Sequence, residues 1–288
     1  MHDFFRPSKS SVARVLYDRY RALRRVLQPL DPDGFSFRDA TGRVLAECQL
    51  FAPTPRLAVI LAFGQSNIAN ECDPQGCYTP GSGVYNFNLF DGQCYVARDP
   101  LLGPTGDRSN VATRVGDLLV RRAVYDRVLL VPIAYGGTYM AEWTANGRMF
   151  PRLTQSLKRL RGAGISVTHA LWQQGEAEGA LADADGSAWS SHFKEMVLSL
   201  RRHAISAPIF VAQCTLCSGT PNERIRAAQR AVVAPSSGIF AGPDMDVIGQ
   251  DQRWDGCHFS TAGLENAAEL WFKVVCAHAK SLAADGGV

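Results

Sequence analysis

Five short apolar runs rich in β-branched residues punctuate this chain: Leu57 to Phe63, Val128 to Ile133, Val167 to Trp172, Ile209 to Ala212 and Ile239-Phe240. Each is bounded by polar, Gly or Pro residues, the pattern of strands buried on both faces. Helical patterns alternate with them, at Val111 to Ala123, Phe150 to Arg161, Ala188 to His203, Asn222 to Val233 and Thr261 to Lys280. Regular alternation of strand and helix predicts an α/β chain with a five-stranded parallel sheet covered on both faces. Ligands of such a sheet bind at the carboxyl ends of its strands.

The first 50 residues read as an addition, so a main α/β domain over 51–288 and an extension of helix and small hairpin over 1–50 are expected. Ser10 or Ser11 can cap a helix in which Val12, Val15, Leu16, Leu23, Val26 and Leu27 share a face, with five arginines elsewhere. A basic amphipathic helix can lie on a membrane surface. Docking on its own domain is the preferred reading, because the apolar stripe suits a core as well. Phe35-Ser36-Phe37 and Val44 to Ala46 around Asp39 to Gly42 suggest a small hairpin. The stretch Asn70 to Gly106 is rich in Gly, Pro, Asn and Asp, and it reads as a long loop walling a cleft.

Composition narrows the partners. Thirty Lys plus Arg against 27 Asp plus Glu leave a formal charge of +3, too little to indicate nucleic acid. No apolar stretch approaches the roughly 18 residues of a membrane span. The opening Met1-His2-Asp3-Phe4-Phe5-Arg6-Pro7 lacks the charged-then-apolar order of a secretory signal. A cytoplasmic protein is expected of the chain as written, and a secreted form after removal of a leader stays open. Of eight cysteines, only Cys214 and Cys217 have metal or redox spacing. The adjacent Cys257 and His258 suit one zinc ion poorly, so ordinary buried thiols are expected, with a disulfide among Cys72, Cys77 and Cys94 as the alternative.

Two tetrads far apart carry the chemistry: Gly64-Gln65-Ser66-Asn67 after the first apolar run, and Asp255-Gly256-Cys257-His258 before the last helix. Serine is a poor nucleophile unless a base lies within hydrogen-bond reach and a third group orients that base. A spacing of three lets one turn present Asp255 and His258 together, the carboxylate holding one ring nitrogen and leaving the other for Ser66. The bland readings are a turn after a strand and a helix-capping segment. Ser66 at a predicted strand end favours the catalytic one. Tyr135, Glu142 and Trp143 follow another strand end, where they could grip a sugar, and core packing of Trp143 is an equal alternative. His169, His192, His203 and His278 read as structural or solvated.

These tetrads, with Trp172-Gln173-Gln174-Gly175-Glu176, resemble the SGNH (GDSL-like) hydrolase superfamily, and within it the sialate O-acetylesterase-like group of carbohydrate esterases. Asp99 to Gly103 with Gly106 and Ser109, and Pro132 to Thr138 with Glu142-Trp143, are similar to further blocks of that family. The resemblance runs from about Leu57 to Trp271. It implies a flavodoxin-like three-layer α/β/α sandwich and hydrolysis of O-acetyl esters of carbohydrates through an acyl-enzyme. Ser66 would be the nucleophile, His258 the base and Asp255 its orienting carboxylate. No metal or organic cofactor is implied. The oxyanion donors would be the Ser66 N–H, a backbone N–H near Gly106, and Gln174, since an ionised Glu176 cannot donate. Glu176, Gln65 and Asn67 would support the site or the substrate. The chain departs from the pattern at Asp107 and Arg108, where small residues are expected. A lipid or thioester hydrolase, a sugar O-acyltransferase and a silent glycan-binding module are the competing readings.

Overall fold

The computed structural model describes residues 40–284. The strands are β1 (Leu45–Ala46), β2 (Leu57–Gly64), β3 (Val84–Phe87), β4 (Cys94–Val96), β5 (Arg127–Ala134), β6 (His169–Gln173), β7 (Ile209–Gln213) and β8 (Ile239–Asp244). The helices are α1 (Val111–Arg121), α2 (Phe150–Gly162), the single turn α3 (Glu176–Gly179), α4 (Gly186–Arg202), α5 (Glu223–Ala231) and α6 (Thr261–Ala284). All strands join one sheet in the order β1-β4-β3-β5-β2-β6-β7-β8.

Within it, β5-β2-β6-β7-β8 are parallel throughout and correspond to the five predicted runs. Numbered among themselves, these five follow the 2-1-3-4-5 order of a doubly wound sheet, which switches direction between β2 and β6. β2, Leu-Ala-Val-Ile-Leu-Ala-Phe-Gly, is buried at every position, as a strand covered on both faces requires. One face carries α1 and α6, whose Val115, Leu119, Leu264, Ala268 and Trp271 pack in one cluster with Ala58, Ile60, Val128 and Leu130. On the other face the rings of Phe63, Trp143, Trp172, Phe193 and Trp189 form a chain of edge and stacked contacts. The result is a three-layer α/β/α sandwich.

The sheet has eight strands where the sequence led us to expect five. Two of the additional strands lie inside the stretch read as a loop: β3 pairs parallel with β5, and β4 runs antiparallel to β3. Four and three residues long, and set among Gly, Pro and Asn, they leave no apolar run to detect. Leu45–Ala46 pairs antiparallel with Cys94 and Tyr95, so the second arm of the anticipated hairpin adds to this edge. Its first arm, Phe35-Ser36-Phe37, and the amphipathic segment starting at Ser10 or Ser11 lie outside the described residues. None of the described helices is long and apolar enough to cross a membrane.

Candidate active site

The site forms at the β2/β6 switch. Gly64 ends β2 at φ +132°, and a Cβ there would sit 2.0 Å from the Gln173 carbonyl oxygen of β6. Only glycine lets the two backbones approach this closely. The chain then turns into a short 3₁₀ segment over Ser66–Ile68, all of it buried. Gln65 fastens that turn to the neighbouring strand. Its N–H donates to Gln173 O at 3.0 Å, and its side-chain oxygen accepts from the Gly175 and Ala177 N–H groups, each at 3.2 Å. Gln65 therefore fixes the turn that carries Ser66 to the segment after β6.

Asp255 and His258 meet as predicted. The carboxylate Oδ2 lies 2.7 Å from His258 Nδ1, while Oδ1 accepts from the His258 N–H at 2.7 Å and the Cys257 N–H at 2.9 Å. Partial burial would raise the Asp255 pKa. The His258 ring bond, the imidazole charge and the two peptide N–H bonds outweigh it, pulling the carboxyl down to about 2. The carboxylate thus stays ionised and holds Nδ1, which leaves Nε2 as the other ring nitrogen. Among the described residues neither Ser66 Oγ nor His258 Nε2 has a hydrogen-bond partner, so the serine–imidazole link is not closed in this structure.

Asn67 ties the two halves together. Its amide Nδ2 donates to Cys257 O at 3.2 Å and its Oδ1 accepts from Phe259 N–H at 3.1 Å, gripping the peptides on either side of His258. The same Nδ2 donates to Glu176 Oε1 at 2.9 Å. Glu176 is buried, which raises its pKa against the opposing bond from Asn67. Arg253, also buried, donates to Cys257 O at 2.6 Å, to Met245 O at 3.0 Å and to Ile248 O at 3.1 Å. Sequence reasoning missed Arg253. It is one arginine among many, and its burial depends on three carbonyls brought together only by the turn between β8 and α6.

The geometry does not favour Gln174 as an oxyanion donor. Its amide nitrogen faces Glu178 Oε2 at 2.5 Å, Thr138 O at 2.9 Å and Gln65 Oε1 at 3.2 Å, and its oxygen accepts from Trp189 Nε1 at 2.9 Å. Two amide hydrogens are already claimed by three acceptors. Glu178, which also accepts from Met140 N–H, is pushed up to about 7 by burial against those bonds. Gly106 lies against Asn70, four residues beyond Ser66. At φ +85° its Cβ would fall 2.0 Å from Asn70 O, so glycine is required there too. Beside it, Arg108 lies with its guanidinium 4.8 Å from the Trp254 ring, which stacks in turn near His258 with 6.5 Å between centroids.

The remaining predicted residues divide. Trp143 is fully buried, 5.2 Å from Trp172 by ring centroids, and its Nε1 donates to Thr138 Oγ1 at 3.1 Å; it is core and takes no part in gripping sugar. Glu142 caps the turn at Tyr139 N–H (2.7 Å) and pairs with Arg148 (2.7 Å). The Arg148 guanidinium lies 4.7 Å from the half-buried Tyr135 ring, so Tyr135 and Glu142 are joined through a residue the sequence did not single out. His169 is buried between Thr168 Oγ1 and Tyr125 OH, and His203 bonds Ser199 O; both are structural. Cys72, Cys77 and Cys94 form no disulfide with one another, and among the described residues the disulfide joins Cys217 and Cys257 instead. The 40-residue separation gave no hint of that pairing, which depends on the loop after β7 folding over the Asp255–His258 turn.

A family model described as carbohydrate esterase, sialic acid-specific acetylesterase matches residues 56–275. A probable carbohydrate esterase of Arabidopsis thaliana is 28% identical over 102 residues, a match spanning 35% of this chain and 38% of that curated relative. Among solved structures, the chain is similar to a protein of Arabidopsis thaliana, with TM-score 0.62 and 19% identity over 78% of this chain and 99% of that one. It is also similar to a carbohydrate acetylesterase from Xanthomonas citri, with TM-score 0.53 and 14% identity over 75% of this chain and 54% of the other. Those structural likenesses speak for the fold. The family match, running from the start of β2 into α6, covers both tetrads and the Gln174-Gly175-Glu176 segment, and the chain belongs to the carbohydrate esterase, sialic acid-specific acetylesterase family.

Proposed function

We propose that this protein is a serine esterase that removes O-acetyl groups from carbohydrates, with Ser66 as nucleophile, His258 as general base and Asp255 as orienting carboxylate. The observation that carries the reading is the Asn67 clamp. The residue next to Ser66 holds the peptides on both sides of His258, whose Nδ1 is already bound to Asp255 at 2.7 Å.

In the reaction, Ser66 Oγ attacks the acetyl carbonyl as His258 Nε2 takes its proton. The same imidazolium then protonates the departing sugar oxygen. Water, activated by His258, releases acetate from the acyl-enzyme. The oxyanion faces the Ser66 N–H and the Gly106 turn, and each donor in such sites is worth on the order of 3 kcal/mol. Gln174 holds Gln65 and Glu178 in place and is not assigned as a donor. The half-buried Tyr135, with Arg148 over its ring, is a candidate wall for the sugar. The reaction as written routes no step through a metal or organic cofactor.

The test is turnover of p-nitrophenyl acetate and release of acetate from a panel of acetylated glycans. Ser66→Ala and His258→Ala should each reduce turnover by at least a thousandfold with the circular dichroism spectrum unchanged. Near-wild-type activity in Ser66→Ala would falsify the assignment. Acetylated acceptor appearing in place of free acetate would point to acyl transfer.

A further inference from the structure

We infer that the Cys217–Cys257 disulfide is a positioning element of the hydrolytic site, so that turnover responds to the thiol redox state of the chain. The proposal rests on the Ser66–His258–Asp255 reading and adds to it a dependence that the triad alone does not carry.

Cys257 lies between the two members of the acid–base pair, inside the turn Asp255-Gly256-Cys257-His258. Hydrogen bonds to its carbonyl from Asn67 and Arg253 hold the side of the turn that faces the nucleophile. The opposite side, with Asp255 about a third exposed and Gly256 at φ +83°, is braced within the turn by the Asp255 carboxylate and by the Gly256 N–H to Arg253 O bond at 3.3 Å. It is tied to the loop after β7 by the Ser218 N–H to Gly256 O bond at 2.8 Å and by the disulfide.

The disulfide leads to a firmly held anchor. Asp246 Oδ1 accepts from the Thr215 and Leu216 N–H groups at 2.8 and 2.9 Å, and its Oδ2 accepts from Thr215 Oγ1 at 2.7 Å. Arg226 on α5 pairs with that same Oδ2 at 2.8 Å. A path of one ion pair, hydrogen bonds and the disulfide therefore runs from α5 through the Cys217 loop to the residue before His258. Without it, Asp255 keeps its bond to His258, but the pair can shift together relative to Ser66. Misplacement by about an ångström can cost up to a hundredfold in rate.

The bond can be reached. Cys217 is half-buried and is followed by exposed Ser218, Gly219 and Thr220, whereas Cys257 is buried. A thiolate of a dithiol reductant attacks Cys217 Sγ and Cys257 leaves as a thiolate that takes a proton from water. The reductant's second thiol then displaces Cys217 and closes a cyclic disulfide. Two electrons and two protons pass from the dithiol to the protein.

The experiment uses the full chain in three states: oxidised, reduced with dithiothreitol and desalted under nitrogen, and reoxidised. Thiols are counted in each state, and kcat and KM for p-nitrophenyl acetate are measured beside near-ultraviolet circular dichroism. Reduction should add two thiols, lower kcat at least tenfold and leave KM within twofold, with the spectrum retained and activity restored on reoxidation. Cys217→Ser should match the reduced enzyme and no longer respond to dithiothreitol. A folded, reduced enzyme with unchanged kcat overturns the proposal. So does activity lost only in step with the near-ultraviolet signal, since the bond would then be holding the fold and not placing His258. If the oxidised protein shows no Ser66-dependent turnover, the triad reading falls and this one falls with it; if that turnover is present and survives reduction, only this one fails.

Discussion

At the scale of single residues, the site depends on side chains that do no chemistry. Asn67 uses both atoms of its amide on the backbone flanking His258, with Glu176 setting the amide's orientation. Asn67→Ala should lower kcat more than tenfold with little change in KM, and it should destabilise the fold by about 2 kcal/mol, since buried peptide groups lose their partners. A variant with wild-type kcat would show that the clamp is packing alone. Gly64 is constrained more severely, because a methyl group there meets β6 backbone that cannot swing aside. Gly64→Ala should cost about 3 kcal/mol or more, read as a lowered Tm or as insoluble expression. Asp255 behaves differently. With its carboxyl drawn down to about 2, it stays ionised through any workable assay. The acid limb of kcat/KM above pH 4 should therefore follow the loss of one proton, with unit slope, and a slope of two would contradict this.

At the scale of elements, the strands and helices set where loops can reach, and some also carry their own titration. His169 opens β6 on the face that carries α6, against the rings of Tyr125, Phe210 and His278, and burial, followed by the charge of His278, lowers its pKa from the usual imidazole value to about 4. Between those values the unfolded chain binds a proton that the folded one refuses. Stability is therefore complete above about pH 6.5 and is lost as pH falls toward 4, by up to about 3 kcal/mol. Urea titrations at pH 7 and pH 4.5 should show this loss in the wild type and a smaller loss in His169→Phe. Equal losses would place the acid sensitivity elsewhere. The Asn70 to Gly106 stretch shows the other side of element formation. β3 is stabilised by the edge of β5, and β4 by β3, more than by their own composition, so their strand character exists only in the assembled sheet.

At the scale of the whole molecule, the doubly wound order brings two tetrads nearly 190 residues apart to the ends of β2 and α6 on one side of the sheet. The two neighbours of Ser66 in the chain, Gln65 and Asn67, are buried and hydrogen-bonded to the buried Gln174 and Glu176. So polar and filled a floor suits a short acyl group. The kcat/KM for acetyl esters should exceed that for octanoyl esters by at least a hundredfold, and the reverse order would favour a lipid hydrolase on the same fold.

The five central strands, the helices between them and the Asp255–His258 pair were legible in the sequence because each depends on local pattern: buried runs, 3.6-residue periodicity, and a three-residue spacing that one turn can satisfy. Roles that depend on the company a side chain keeps were not legible. Whether Gln174 donates to an oxyanion or to Thr138 and Glu178, whether Trp143 meets sugar or Trp172, and which cysteine pairs with Cys257 were decided only by tertiary packing. The physical reason is that hydrogen-bonding capacity and buried volume are finite, and the partners that use them up arrive from distant parts of the chain.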